Sequence, residues 1–473
     1  MNENKVIPDS ETGGLHQNKF IGLRMKHPVF TYEKYEIVDQ KDKLSIRFVF
    51  RLGDFAVFTP EWEFRKKHRD INYEQEEIVN RLAFNLGMVE LISYWKCACS
   101  PLVRIKAGYL DEEQLGWWKM QYFLGLGEFF YTNGINTCME DFMKLEVDLG
   151  PAGQELLKQD FPKEGCLIPV GGGKDSIVTL ELLSDRRSSN LCYMINKKEA
   201  SERSAGLAGY TQEELLIAGR SLDPKLLALN KEGYLNGHTP FSAIVAFSAV
   251  LQAYLHDKKY VALSNEASAN ESTVEGTLVN HQYSKSFKFE RDFVQYEEKY
   301  IHSGVFYFSL LRPFSELQIA AFFALQEKYH RIFRSCNVGS KTDSWCGFCP
   351  KCLFVAVILS PFIEPEQLVN IFGRDMLNDD GLIPIFDKLI GLAPEKPFEC
   401  VGTVDEANTA VCMAIQRLNA VNGKLPELYK YYESRGLFHS IKLEENPYSS
   451  YFNEENQVPA EFLARLKALM INR

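Results

Sequence analysis

Apolar and polar residues alternate with a period of two near the start of the chain, which predicts a strand over residues 44–50. The turn sequence Leu52-Gly53-Asp54 precedes a second apolar run at residues 55–58, so this segment predicts a β-hairpin. Apolar residues at helical spacing then predict helices over residues 73–94 and 111–131. Together these elements predict an N-terminal α+β domain whose many aromatic side chains pack in its core.

From about residue 164, short apolar runs alternate with helical segments. This alternation predicts an α/β fold with a parallel sheet, helices on both faces, and a ligand site at the carboxyl ends of the strands. The predicted strands cover residues 166–170, 191–195, 225–229 and 260–263, and the predicted helices residues 175–183 and 241–255. Helical patterns continue beyond Asp375, as at residues 403–418 and 459–470. The predicted domains are residues 1–150 (α+β), 151–375 (α/β, with the expected ligand site) and 376–473 (helical).

The composition of this 473-residue chain, with 45% hydrophobic and 25% charged residues, is that of an ordinary globular protein with more than one domain. Its formal net charge of −10 weighs against a nucleic acid partner, because a protein that grips many phosphates needs a basic face. The charge therefore favours a small-molecule substrate.

Two further features predict a cytoplasmic protein without a membrane partner. The first seventeen residues are polar, which predicts a loose tail and no secretory leader. The longest apolar stretch, residues 240–255, is too short and too interrupted by polar residues to span a bilayer. Eleven cysteines suit this compartment as thiols or metal ligands better than as disulfides.

A glycine-rich loop joins the strand at residues 166–170 to the following helix. Glycines let backbone N–H groups approach phosphate, and the N-terminus of the helix adds further donors and a positive dipole end. The spacing fits neither the Walker loop nor the dinucleotide fingerprint, and a plain turn is the alternative. The residues assigned to ATP binding are Gly171, Gly172, Gly173, Lys174, Asp175 and Ser176.

This loop resembles the Ser-Gly-Gly-x-Asp-Ser loop of the PP-loop (N-type) ATP pyrophosphatases. The resemblance implies cleavage of ATP to AMP and pyrophosphate, with an adenylated substrate as intermediate. Gly171 stands where that family usually has serine, which removes one hydroxyl contact.

Four cysteines are crowded into a short window: Cys336, Cys346, Cys349 and Cys352. Thiolates at this spacing can close a tetrahedral site around Zn²⁺, although an iron–sulfur cluster or buried free thiols also fit. Four protein thiolates leave no open coordination position on the metal ion, so a structural site is favoured over a catalytic one. The cyano-deazaguanine synthases, which are also PP-loop enzymes, carry a similar four-cysteine knuckle, and this resemblance favours zinc.

Three polar segments follow or precede predicted buried elements: residues 236–240, 264–270 and 279–286. Each alone is equally well explained as a turn. Their common place, at the expected ligand side of the sheet, favours a binding site.

Together with the glycine loop and the cysteine cluster, these segments resemble the UDP-N-acetylmuramoyl-L-alanyl-L-glutamate epimerases of some bacteria (MurL). The resemblance implies ATP- and Mg²⁺-dependent inversion of the terminal L-glutamate of a UDP-muramoyl dipeptide, through an acyl-adenylate, in peptidoglycan precursor synthesis. The alternatives are an amide- or nitrile-forming ligase, a tRNA-modifying enzyme, and a zinc-stabilised nucleotide sensor that binds ATP without cleaving it.

Candidate catalytic residues come from the same polar segments. His281 and Lys285 are the candidates for proton transfer, with Tyr283 and His238 as reserves. Glu266 is the candidate for binding magnesium or orienting the substrate. A histidine met alone in a sequence is more often packed or hydrogen-bonded than catalytic, and the sequence leaves the oligomeric state open.

Overall fold

The computed structural model describes residues 14–67, 73–148, 150, 163–274, 277, 279–438, 443, 448 and 450–470. Most of the polar tail predicted at the start of the chain lies outside these residues. Within the described residues, no helix combines the length and apolar character that crossing a membrane requires.

Within the described part of the chain, eleven strands form one mixed sheet in the order β11-β10-β7-β8-β9-β4-β2-β1-β5-β6, and β3 adds to β2. Neighbouring strands are parallel in the pairs β1·β5, β5·β6 and β7·β10, and antiparallel in β1·β2, β2·β3, β2·β4 and β4·β9. The strands are β1 (Val29–Asp39), β2 (Lys43–Leu52), β3 (Ala56–Phe58), β4 (Glu61–Arg65), β5 (Leu102–Ile105), β6 (Lys144–Val147), β7 (Cys166–Pro169), β8 (Leu191–Ile195), β9 (Leu215–Ser221), β10 (Tyr260–Leu263) and β11 (Phe306–Ser309).

The α-helices of the described residues include long core helices and short connecting ones. They are α1 (Gly14–Lys26), α2 (Tyr73–Trp95), α3 (Glu112–Gly125), α4 (Gly127–Thr132), α5 (Lys174–Leu182), α6 (Glu199–Leu207), α7 (Pro224–Lys231), α8 (Phe241–Leu255), α9 (Phe287–Tyr296), α10 (Glu316–Ala324), α11 (Pro350–Leu359), α12 (Pro365–Phe372), α13 (Ile383–Leu389), α14 (Val404–Ala420), α15 (Glu427–Ser434) and α16 (Ala460–Met470).

The chain folds into two compact units that interleave along the sequence. The first unit comprises residues 1–167, 216–261 and 276–307, and the second comprises residues 168–215, 262–275 and 308–473. The mixed α/β class is as predicted. The PP-loop type of the fold and the three sequence domains stay predictions.

The predicted hairpin is present in the first unit. Its apolar side faces the core, since Leu44, Ile46, Phe48 and Phe50 are fully buried. Gly53, at a φ of +51°, makes the turn after which β3 pairs with β2. The period-two pattern was sufficient here because one face of the strand is buried and the other is more exposed.

The strand predicted over residues 225–229 is wrong, because these residues belong to helix α7. Asp223 caps this helix by accepting a hydrogen bond from the Lys225 N–H at 2.9 Å, and Pro224 occupies its first position. A five-residue apolar run does not distinguish a strand from a short helix, whereas the capping residues do. The strand of this region is β9, at residues 215–221.

Candidate active site

The glycine loop connects β7 to α5 in the second unit. Gly172 has a φ of +83°, and a Cβ atom there would lie 2.9 Å from Ala200 Cβ and 3.0 Å from the Ala200 carbonyl carbon. Gly172 is therefore required both by backbone conformation and by close packing. Gly171 is different, since a Cβ atom at that position would meet nothing within 4 Å.

The loop ends at the N-terminus of α5, where Gly173 is the N-cap residue and provides no side chain to cap the helix. The first N–H groups of any α-helix have no partner within it, so those of Lys174, Asp175 and Ser176 point toward the loop. The Ser176 hydroxyl donates to the Gly173 carbonyl at 2.9 Å. This end of the helix has the donors and the dipole that bind an anion.

The Lys174 ammonium is buried and forms ion pairs with Asp175 and Glu316. Burial alone lowers the pKa of Lys174, but the carboxylates of Asp175, Glu316 and Glu266 raise it above its ordinary value. Lys174 is therefore positively charged and is paired with carboxylates.

Three carboxylates surround this lysine. One oxygen each from Asp175, Glu266 and Glu316 lies within 4.8 Å of the others. Burial raises the pKa of Glu316 above its ordinary value, although the charge of Lys174 opposes the shift. One ammonium facing three carboxylates leaves an excess of negative charge among hard oxygen donors, a combination that suits Mg²⁺.

Two helices besides α5 present their N-termini to this cluster. Glu316 is the first residue of α10, and its N–H donates to Glu406 Oε1 at 2.7 Å. Glu406 lies in the first turn of α14, where it forms a capping box with Thr403. Helix N-termini stabilise carboxylates, which explains how so many acidic groups are tolerated in a buried region.

The segment carrying Glu266 is fixed within the second unit. Fully buried Arg312 donates to the Glu266 carbonyl oxygen, and the Asn265 amide donates to Ser309 Oγ at 3.0 Å. The Thr179 hydroxyl of α5 donates to Ser264 Oγ at 2.9 Å. These contacts hold Glu266 by its backbone and leave its carboxylate to face Lys174.

The four predicted cysteines converge in the second unit. The sulfur–sulfur distances are 3.8 Å for Cys336–Cys349, 3.7 Å for Cys346–Cys352 and 3.4 Å for Cys349–Cys352. Zn–S bonds of about 2.3 Å place tetrahedral ligands about 3.8 Å apart, so this cluster could hold a zinc ion. Gly347, at a φ of +75°, makes the tight turn between Cys346 and Cys349.

A second polar cluster lies in the first unit and joins two predicted residues to an unpredicted one. Glu128 Oε2 lies 3.0 Å from His238 Nδ1 and also bonds His281 Nδ1, and the two imidazole rings are 4.8 Å apart. Tetrahedral nitrogen and oxygen ligands of zinc lie about 3.3 Å apart, so these shorter contacts indicate hydrogen bonds. Burial raises the pKa of Glu128, but the two histidines outweigh it and bring the value to about 2.

Lys96 supports the loop that carries His238. Its ammonium donates to the carbonyl oxygens of Gly237 and His238 and to Thr239 Oγ1. Burial and the charge of Arg220 lower the pKa of Lys96 to about 8. The loop conformation is thus set by a buried lysine far away in sequence.

The remaining candidates have other surroundings. The Tyr283 hydroxyl donates to Gln121 Oε1 at 3.0 Å, and burial raises its pKa well above the ordinary value. Lys285 is half-buried in the same single turn of 3₁₀-helix, Tyr283–Lys285. The histidine side chains are therefore better suited than the Tyr283 hydroxyl to exchange protons at neutral pH.

Four charged residues of these clusters were missed by sequence reasoning: Lys96, Glu128, Glu316 and Glu406. Glu128 follows glycine and precedes two phenylalanines, and a lone acidic residue in an apolar run is the signal that could have found it. Glu316 and Glu406 resemble ordinary helix-starting acids, so their sequence context gives no functional signal.

Comparisons with known proteins match most of the chain to one family. The models of the MurL N-terminal domain and the MurL C-terminal domain match residues 23–310 and 332–425. A protein of Xanthomonas oryzae pv. oryzae is 36% identical over 70% of this chain and 74% of its own length, and one of Salinispora tropica is 35% identical over 72% and 74%. Both relatives are named UDP-N-acetyl-alpha-D-muramoyl-L-alanyl-L-glutamate epimerase. No solved structure gave a significant match. The chain therefore belongs to the MurL family.

Proposed function

We propose that the protein is a UDP-N-acetylmuramoyl-L-alanyl-L-glutamate epimerase, which converts the terminal L-glutamate to D-glutamate. The observation that carries this proposal is the match to three relatives of that name, each over at least 70% of the chain. The two polar clusters support it because they offer the two kinds of chemistry that such an inversion requires.

Inversion at an amino-acid α-carbon is difficult next to a free carboxylate. Removing the α-proton places a second negative charge beside the first. If the carboxylate first attacks the α-phosphate of ATP, pyrophosphate leaves and an acyl-adenylate forms, whose acyl group no longer carries the carboxylate charge. Its α-proton is far more acidic, and water later releases AMP and the D-glutamate product. Activation as an acyl-adenylate therefore explains why the reaction consumes ATP.

We assign the activation step to the glycine loop and its neighbours. Gly171 to Ser176 bind the phosphates of ATP, as in the PP-loop fold that we propose for this part of the chain. Asp175, Glu266 and Glu316 would hold Mg²⁺, which when bound neutralises the pyrophosphate formed. The Lys174 ammonium balances the charge of these carboxylates, so Lys174 is better suited to contact phosphate through its backbone N–H than through its side chain.

We assign proton transfer to His281 and His238, with Glu128 as the carboxylate that orients both. A carboxylate bonded to Nδ1 fixes the tautomer of a histidine and leaves Nε2 to exchange a proton. The rings are too close together to hold a substrate between them, so the pair acts on one face of the α-carbon. Lys285 is our first candidate for the opposite face and Tyr283 the second.

The four-cysteine cluster supplies a structural zinc site in this proposal. All four donors are protein thiolates, which leaves no open position for a substrate or a water molecule. Its contribution is to fix the chain segments that carry the cysteines.

The proposal is tested by incubating the full chain with UDP-N-acetylmuramoyl-L-alanyl-L-glutamate, ATP and Mg²⁺. We expect D-glutamate after acid hydrolysis, together with AMP and pyrophosphate in equal amounts. Asp175→Asn should abolish AMP release, whereas the exposed control Asp380→Asn should not. Absence of D-glutamate would refute the epimerase assignment, and undiminished D-glutamate without ATP would refute the activation step.

A further inference from the structure

A short segment, Arg334 to Cys336, connects the glycine loop to the cysteine cluster within the second unit. The Arg334 N–H donates to the Gly172 carbonyl at 2.8 Å. Ser335 follows, with its Cβ 3.2 Å from the position of a Cβ on Gly173. Cys336 then contributes its sulfur to the four-cysteine cluster. Three consecutive residues thus bond the loop, pack against it and enter the metal site.

The Ser335 hydroxyl has an unusual environment. Its Oγ is buried and has no hydrogen-bond partner among the described residues. It lies 3.9 Å from the Cβ position of Gly173, the residue that begins α5. A buried hydroxyl without a partner destabilises the folded protein, so such a group in a native protein calls for an explanation.

Ser201 offers a useful contrast. Its Oγ also lacks a partner among the described residues, and its backbone nitrogen lies 3.0 Å from the Cβ position of Gly172. Ser201, however, is completely buried within α6. Ser335 is only half-buried, and its Oγ lies close to Gly173, the N-cap residue of α5.

We infer that the Ser335 hydroxyl is a ligand of the ATP phosphates, and that the cysteine cluster holds it at the glycine loop. The inference rests on the proposed function, since it takes ATP as the ligand of the loop. Gly171 has no side chain, and the Ser176 hydroxyl is already bonded to the Gly173 carbonyl. Ser335 therefore supplies a hydroxyl donor from a distant part of the chain, and its position depends on Cys336.

The test measures the Kd of ATP in the presence of Mg²⁺ by calorimetry, with the full zinc-loaded chain and no dipeptide substrate. Ser335→Ala should raise the Kd about tenfold or more, because a hydrogen bond to a charged phosphate is lost. Ser201→Ala removes an equally unpartnered hydroxyl near the loop and should leave the Kd unchanged. Zinc content is measured for each variant to show that the cluster is intact.

A rescue experiment separates a ligand from a packing residue. Since the Cβ position of Gly171 is open, Gly171→Ser can place a new hydroxyl on the loop. The double variant Ser335→Ala/Gly171→Ser should regain most of the lost affinity, and Ser335→Thr, which keeps the hydroxyl, should bind within a few-fold of wild type.

The outcomes are distinguishable. An unchanged Kd in Ser335→Ala overturns the inference, as does an equal loss in Ser335→Ala and Ser335→Thr without rescue. Failure of the wild-type chain to bind ATP overturns the proposed ATP dependence itself.

Discussion

Gly172 and Gly171 form a matched pair of neighbouring glycines with opposite predicted tolerance to substitution. Gly172→Ala forces an alanine to a φ of +83°, which costs about 1–2 kcal/mol. Its Cβ would also lie 2.9–3.0 Å from atoms of Ala200 and Ser201, two of which belong to the backbone and cannot rotate away. Such overpacking costs about 1–3 kcal/mol, so the total is about 2–5 kcal/mol.

Gly171→Ala meets none of these obstacles. Its Cβ has nothing within 4 Å and its φ lies outside the left-handed region, so stability should stay within about 1 kcal/mol of wild type.

Thermal unfolding of the two variants, measured without ATP, checks this difference. For a unit of roughly 200 residues, each kcal/mol shifts the Tm by about 2–4 °C, so Gly172→Ala should unfold about 4–20 °C below wild type. Gly171→Ala should unfold within about 4 °C of wild type. Equal Tm values for the two variants would refute the packing described for the loop.

Three further substitutions test other parts of the structure. Glu128→Gln should destabilise the protein by about 2 kcal/mol at neutral pH and lower kcat at least about tenfold without changing the KM for ATP. The pKa of Glu128 in the folded protein is depressed to about 2, so the stability difference from wild type should vanish as the pH falls from about 4.5 toward 2, as measured by urea titrations. The pKa of Lys96 in the folded protein is also depressed, to about 8, so wild type should gain up to about 3 kcal/mol of stability relative to Lys96→Met as the pH rises from about 8 to 10.5. A constant stability difference over this interval would contradict the burial of Lys96 as a charged group. Cys349→Ser should reduce bound zinc from about one ion per chain to nearly none and should weaken ATP binding. The control variant Cys138→Ser, which lies outside the cluster, should retain the metal. A brown, iron-containing wild-type protein would exclude zinc.

Local sequence signals predicted those parts of the fold whose cause is local. The hairpin at residues 44–58 follows from alternation and a turn glycine, and the helix predicted at residues 403–418 from its helical pattern is α14, which begins at the capping box of Thr403 and Glu406. The cysteine cluster was predictable because its ligands are close in sequence. The strand predicted at residues 225–229 failed because a short apolar run carries too little periodic information.

The polar clusters were only half predictable, because their members converge from distant elements. Nothing near Glu128 in the sequence indicates that His238 and His281 bond the same carboxylate. Glu316 similarly meets Lys174 across a sequence separation of 142 residues. Sequence reasoning found the residues of the glycine loop and the polar segments. It missed Glu128, Glu316 and Glu406, which are located on helices, where a charged residue usually indicates only a solvated face or a helix cap.

The central claim, inversion of the terminal glutamate by removal and return of its α-proton, is tested most directly in D₂O. The chain is incubated with UDP-N-acetylmuramoyl-L-alanyl-L-glutamate, ATP and Mg²⁺, and the product is analysed by mass spectrometry and chiral chromatography. We predict D-glutamate carrying one deuterium at Cα, with the product otherwise unchanged in mass. A D-glutamate product without deuterium at Cα, or a product that has gained a nitrogen or sulfur atom, would contradict the account.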